Sequence, residues 1–334
     1  MCNDPNKEPN CEAMKLVRNN PYRTVGILVG ATAREQERQI KRLKQYIEAE
    51  QDHNHDYSFP VLGDFRRTVE SVNEAAAKLN LDKDKLDAAL FWFYNGNPIT
   101  DEPAFDALKD SDVQTAASIW SKLIKTGDLT PKNSSAFQNL STLLLCLSIN
   151  GSSVNAIQFE EGLNLKLRFL EDESIKDFKA KVTDDTFKTT KNEIQLSFLN
   201  ALHNEIDKHG GISLSQFIGY IIKQNFSAKN DFLRSYSQLP IQRIEKEIEA
   251  AKSIRKANKA RSAVAGNNLY KTVINELILL SSMLGTKDLK YTSISDKVAD
   301  EVLQCGIDYF LHHRDSETDP GELSMDLFKK ANKL

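Results

Sequence analysis

Asn20-Pro21-Tyr22-Arg23-Thr24-Val25-Gly26-Ile27-Leu28-Val29-Gly30 is the stretch on which the fold turns. Its β-branched run could be the first strand of a nucleotide-binding α/β domain. The glycines, however, miss the dinucleotide fingerprint, and no Lys-Ser or Lys-Thr follows to build a phosphate loop. A parallel sheet would also need several comparable strands, and none follows downstream. Helical spacing dominates instead. Ile40, Leu43 and Ile47 recur on one face, as do Val69, Val72, Ala76 and Leu79, and then Leu86, Leu90 and Phe93. Single amphipathic helices of this length do not stay ordered alone in water, so these stripes imply a small bundle. The expected fold class is all-α.

Composition agrees. Charged residues make up 27% of the 334 and the hydrophobic set 40%, a globular balance. With 14 glycines and 9 prolines the chain has too few turn formers for an all-β protein. A net charge of -3 gives no whole-chain field toward nucleic acid or anionic lipid. Cys2, Cys11, Cys146 and Cys305 are scattered, with neither metal spacing nor a disulfide framework, which suits a reducing compartment. No apolar signal region opens the chain and no apolar run reaches membrane length, so a cytoplasmic, membrane-free protein is expected.

Residues 20–93 resemble the J-domain co-chaperone family. Asn20-Pro21-Tyr22 and Val25-Gly26-Ile27 are similar to its short entry helix, residues 33–50 to its long second helix, and residues 68–93 to its third and fourth. The family's stimulating His-Pro-Asp loop follows the second helix, where this chain carries Glu48-Ala49-Glu50. The resemblance therefore implies a J-like scaffold that does not stimulate a chaperone ATPase. Beyond Asn95-Gly96-Asn97-Pro98, small residues (Ala104, Ala107, Ala116, Ala117) set against Phe105, Leu108 and Trp120 are similar to tetratricopeptide-type hairpins. The expected organisation is a polar, disordered leader (1–18), a J-like domain (19–95) and a helical array (96–240). A long basic helix from 241 to about 264, with C-terminal hairpins, completes it (241–334), the chain being broken at Leu239-Pro240.

Four positive groups on the second helix, Arg38, Lys41, Arg42 and Lys44, are the candidate partner-binding residues, since J-domains meet their chaperone on that helix. A solvated face paired with Glu35 and Glu37 is the plainer explanation. A second basic set, Lys252, Arg255, Lys256, Lys259, Arg261 and Lys271, could neutralise phosphates, with Tyr270 as a stacking surface. Glu245, Glu247 and Glu249 precede it, and acid early with base late is what the helix dipole itself favours. Asp52-His53-Asn54-His55-Asp56 holds metal-ligand types in a polar loop without a distant partner, so no metal is expected. His312-His313 carries no further signal, and His203 is read as structural. No catalytic motif is present, and no cofactor is expected. The sequence points to a non-catalytic adaptor that holds a protein partner, a chaperone or complex subunit, in helical grooves. Nucleic-acid binding through the basic set is the alternative.

Overall fold

The computed structural model describes residues 14–51, 56–63, 65–150, 153–316 and 319–334. The chain divides into two compact units, Met1–Ala228 and Lys229–Leu334. The first holds twelve helices among the described residues: α1 (Lys15–Arg18), α2 (Pro21–Val25), α3 (Ala33–Glu48), α4 (Val69–Leu79), α5 (Asp82–Ala89), α6 (Pro98–Lys109), α7 (Val113–Leu123), α8 (Ser134–Ser148), α9 (Ala156–Glu171), α10 (Ser174–Val182), α11 (Lys191–His209) and α12 (Leu214–Ile222). Two-residue strands, β1 (Ile149–Asn150) and β2 (Ser153–Val154), form the one antiparallel ladder among the described residues. The protein is all-α, with no central sheet under residues 25–29.

The opening stretch shows why. Asn20 accepts a hydrogen bond from Tyr22 N–H (3.0 Å), and Pro21 occupies the first helical position, where a missing N–H costs nothing. Gly26 ends α2 in the left-handed conformation (φ 76°), and a Cβ there would lie 2.2 Å from an Asp56 carboxylate oxygen. Residues 27–29 are buried but form a single strand-like bridge: Val29 N–H donates to Phe93 O (2.9 Å), and Val29 O accepts from Asn95 N–H (3.1 Å). Thr32 and Glu35 cap each other reciprocally and start α3.

The turn at 95–98 lies within the first unit. Phe93 stacks on Trp120 of α7 (5.9 Å between rings) and meets Phe59 edge to face (5.1 Å), so both sides of the turn share one aromatic core. Polar side chains of α8 secure the same segment: Asn139 accepts from Tyr94 N–H (2.7 Å) and donates to Tyr94 O (2.9 Å), while Gln138 donates to Trp92 O (2.9 Å). Each of α6 to α9 packs on its sequence neighbour, and Gly162 lets α9 close on α8, since a Cβ would stand 3.0 Å from Leu145.

Four sequence expectations change. Residues 1–13 lie outside the described residues, but residues 14–18 are not a loose leader: Met14 and Val17 are buried, and Lys15 N–H donates to Glu205. The division at 228 coincides with neither 95 nor 240. Leu239-Pro240 does not break the chain, because it sits in the first turn of α14 (Gln238–Ala257), where proline removes no helical hydrogen bond. The helix expected from 241 to about 264 stops at Asn258, whose extended backbone (φ -151°, ψ 101°) ends α14 and whose side chain caps a 3₁₀ turn at Lys259–Arg261.

The second unit comprises α13 (Lys229–Tyr236), α14, α15 (Ser262–Leu284), α16 (Leu289–His313) and α17 (Gly321–Ala331). Ile244, Val273, Leu277, Leu280, Val298, Val302 and Leu327 form its core. The face of α17 that carries Leu327 docks on α16 and α15.

A cationic cleft beside helix α3

A cleft of about 510 Å³ opens where the 26–31 segment, the start of α3, the 95–98 turn and the end of α10 meet. Ile27, Leu28, Ala31 and Pro98 supply its apolar surface, and Arg38, Arg42 and Lys181 its positive charge. Such a mixture of apolar walls and few polar groups is typical of binding sites.

The two acids in its wall are already engaged. Asp56 pairs with Arg67 (2.8 Å), accepts from Ser58 N–H (2.9 Å) and lies 3.5 Å from Gln39 Nε2. Glu35 accepts from Thr32 N–H (2.8 Å) and Thr32 Oγ1 (2.8 Å), and the Thr32 bonds hold its carboxyl below the usual range. By contrast, Arg38, Arg42 and Lys181 form no ion pair among the described residues, although Arg42 lies over the Tyr46 ring (5.5 Å). The Asn95 Oδ1 atom is buried and accepts no hydrogen bond from the described residues. Tyr57 donates to Glu102 (3.1 Å), and burial followed by the nearby Glu102 carboxylate pushes its hydroxyl up to about 12, so it stays neutral at pH 7.

The structure separates the four predicted residues of α3. Arg38 and Arg42, one helical turn apart, line the cleft. Lys41 is exposed and Lys44 half-buried, roughly 60° and 120° around the axis from Arg38 at about 100° per residue, and neither lines it. Asn95 and Lys181 were missed in the sequence, since no local pattern links positions so far apart.

The second basic set is likewise divided. Lys252, Arg255 and Lys256 lie on α14, Lys259 and Arg261 on the 3₁₀ turn and Lys271 on α15, so the six do not share one helical face. Arg255 turns inward to Glu301 (2.7 and 3.1 Å) and Asp308 (2.8 Å), whose hydrogen bonds hold its guanidinium more firmly protonated than usual. Lys252 pairs with Glu249 (3.3 Å), and Lys330 occupies a face of Tyr270 (5.8 Å). Lys256, Lys259, Arg261 and Lys271 remain exposed.

His53 and His55 lie outside the described residues. No group of three or more possible metal ligands occurs among the described residues. His203 packs against Phe217 (5.6 Å between rings), and burial lowers its pKa.

Sequence reasoning also missed the buried polar groups. Lys166 of α9, wholly buried, donates to Leu90 O (2.9 Å), Thr142 Oγ1 (3.0 Å) and Gln138 Oε1. Its burial lowers the amine's pKa well below the ordinary value. The only signal was a lysine inside Leu163-Asn164-Leu165-Lys166-Leu167, where every neighbouring leucine faces the core. Asp101 is also buried, accepting from Asn97 N–H (2.9 Å) and Trp120 Nε1 (3.2 Å).

Compared with protein-family models, curated proteins and solved structures, the chain matches nothing.

Proposed function

We propose that this chain is a non-catalytic protein-interaction adaptor whose docking site is the cleft lined by Arg38 and Arg42. In this reading α2 to α5 form a J-like module without the His-Pro-Asp group, and the helices that follow form a tetratricopeptide-like array. The observation that carries it is the cleft's surplus of positive charge: Asp56 is paired with Arg67, while Arg38, Arg42 and Lys181 outnumber the remaining acid, Glu35, beside the apolar residues of the lining. An apolar patch rimmed by charge is how protein surfaces select partners. Ile99, 88% exposed beside Pro98, extends the apolar part beyond the cleft. The burial of Cys146 and Cys305 as thiols suits the cytoplasm as its place of action. Among the described residues no helix is long and apolar enough to cross a membrane. The partner is a protein, a chaperone or a subunit of a complex.

A photo-crosslinking residue at position 42, and separately at the exposed Lys78 of α4, tests this in the source cells. A partner crosslinked at 42 and absent at 78 supports the proposal; equal yields at both positions, or none, refute it. Added to a heat-shock chaperone, the chain is expected to leave the ATPase rate at its basal value.

A further inference from the structure

Resting on the adaptor proposal, we infer that the cleft takes an acidic, extended segment of the partner, with two carboxylates on one side and an apolar residue between them. Charge comes first. With Asp56 paired to Arg67, the three cations of the lining, Arg38, Arg42 and Lys181, meet one further carboxylate, Glu35, whose charge Arg38 attracts, so a net positive charge remains. Guanidinium groups match carboxylates in a two-point geometry, which gives orientation as well as attraction.

Spacing comes second. Residues one helical turn apart carry Cβ atoms about 5–6 Å apart. Alternate residues of an extended chain repeat about every 6–7 Å on one face. A segment of the form acid–apolar–acid therefore sets its carboxylates against Arg38 and Arg42. Leu28 and Pro98 of the lining offer apolar contact for its middle side chain, and Lys181 adds a third positive charge. The apolar wall favours a peptide over a phosphate backbone, which carries charge at every step and nothing apolar between.

The test uses the whole chain and a fluorescein-labelled peptide of alternating glutamate and leucine, read by anisotropy. Its glutamine counterpart, a single-stranded oligonucleotide and pyrophosphate serve as competitors. The peptide should bind, the glutamine form should bind at least about tenfold more weakly, and Arg38→Glu with Arg42→Glu should weaken binding by a similar factor. Lys181→Glu should also weaken it, whereas Lys41→Glu with Lys44→Glu should change it less than about twofold. Each variant is checked by circular dichroism, and Arg38→Gln with Arg42→Gln repeats the comparison without charge reversal. Three results would overturn the inference: equal binding of the glutamine peptide, equal losses from both charge-reversed pairs, or displacement by oligonucleotide or pyrophosphate at lower concentration than by unlabelled peptide. A partner crosslinked at position 42 that still binds the Arg38→Glu, Arg42→Glu protein would sink the acidic segment while leaving the adaptor proposal standing.

Discussion

Replacing Lys166 by methionine, which keeps the length and removes the amine, should alter the pH dependence of stability in a defined direction. The native amine is surrounded by Leu90 O, Thr142 Oγ1 and Gln138 Oε1, none of them charged, and complete burial outweighs their attraction for an ammonium. An unfolded lysine titrates near pH ~10.4. Between the lowered native pKa and that value, the unfolded chain binds the extra proton, so native stability rises with pH by up to about 1.4 kcal/mol per unit. Methionine abolishes this slope. It also strands Gln138 Oε1 at a cost of about 1–3 kcal/mol, while Thr142 keeps its bond to Gln138 O (2.9 Å) and Leu90 O keeps Gln138 Nε2 (3.4 Å). The penalty for Lys166→Met should therefore grow by up to about 2.7 kcal/mol from about pH 7.5 to about pH 9.5. Urea titrations followed by tryptophan fluorescence suit the measurement, because both tryptophans, Trp92 and Trp120, lie in the first unit. Cys305, pushed up to about 12 chiefly by burial, and the raised hydroxyl of buried Tyr22 pull the other way at alkaline pH. Both residues are common to the two proteins and cancel in the difference. A penalty that stays constant across this range would refute a buried neutral amine.

Arg255→Met leaves Glu301 and Asp308 buried without their cation and should cost the second unit about 3 kcal/mol. Far-UV circular dichroism should report the loss while the tryptophan transition stays in place; coincident shifts would contradict the assignment. Gly26→Ala forces a Cβ onto Asp56 at positive φ and should cost more than about 2 kcal/mol in urea, so an unchanged midpoint would argue against the left-handed turn. Glu171 is raised by partial burial, but hydrogen bonds from Lys191, Gln195 and Ser227 overcome this and bring its carboxyl down to about 2. Its folded pKa lies below the unfolded value of about 4.3, so its stabilisation is present above that pH and is lost as pH falls toward 2. Glu171→Gln should therefore flatten the acid limb of a thermal-shift pH series; an unaltered limb would refute the clamp.

Helix identity was legible wherever local chemistry repeats. The stripes at Ile40, Leu43 and Ile47 and at Val69, Val72, Ala76 and Leu79 fall on α3 and α4. Gly285, where the sequence stops a helix, lies just past the last residue of α15. Asn258 was not legible as a break, because an asparagine between Ala257 and Lys259 is also tolerated within a helix and only its cap geometry ends α14. Pro240 misled in the opposite sense, since the cost of proline depends on whether the helix has already begun. Two arginines of the cleft were found on their helix, but Asn95 and Lys181 were not.

From residue order alone came the helical class, the basic set Arg38, Lys41, Arg42 and Lys44 on one helix, and the lack of His-Pro-Asp after it. These depend on neighbours within a turn or two, which the chain holds at fixed spacing. Packing alone decided which charges stay outward: Arg255 was drawn into an ion pair 46 and 53 residues away, and Lys166 into the core against Leu90. Burial and partner distance set the fate of an ionisable group, and both are properties of three-dimensional neighbours.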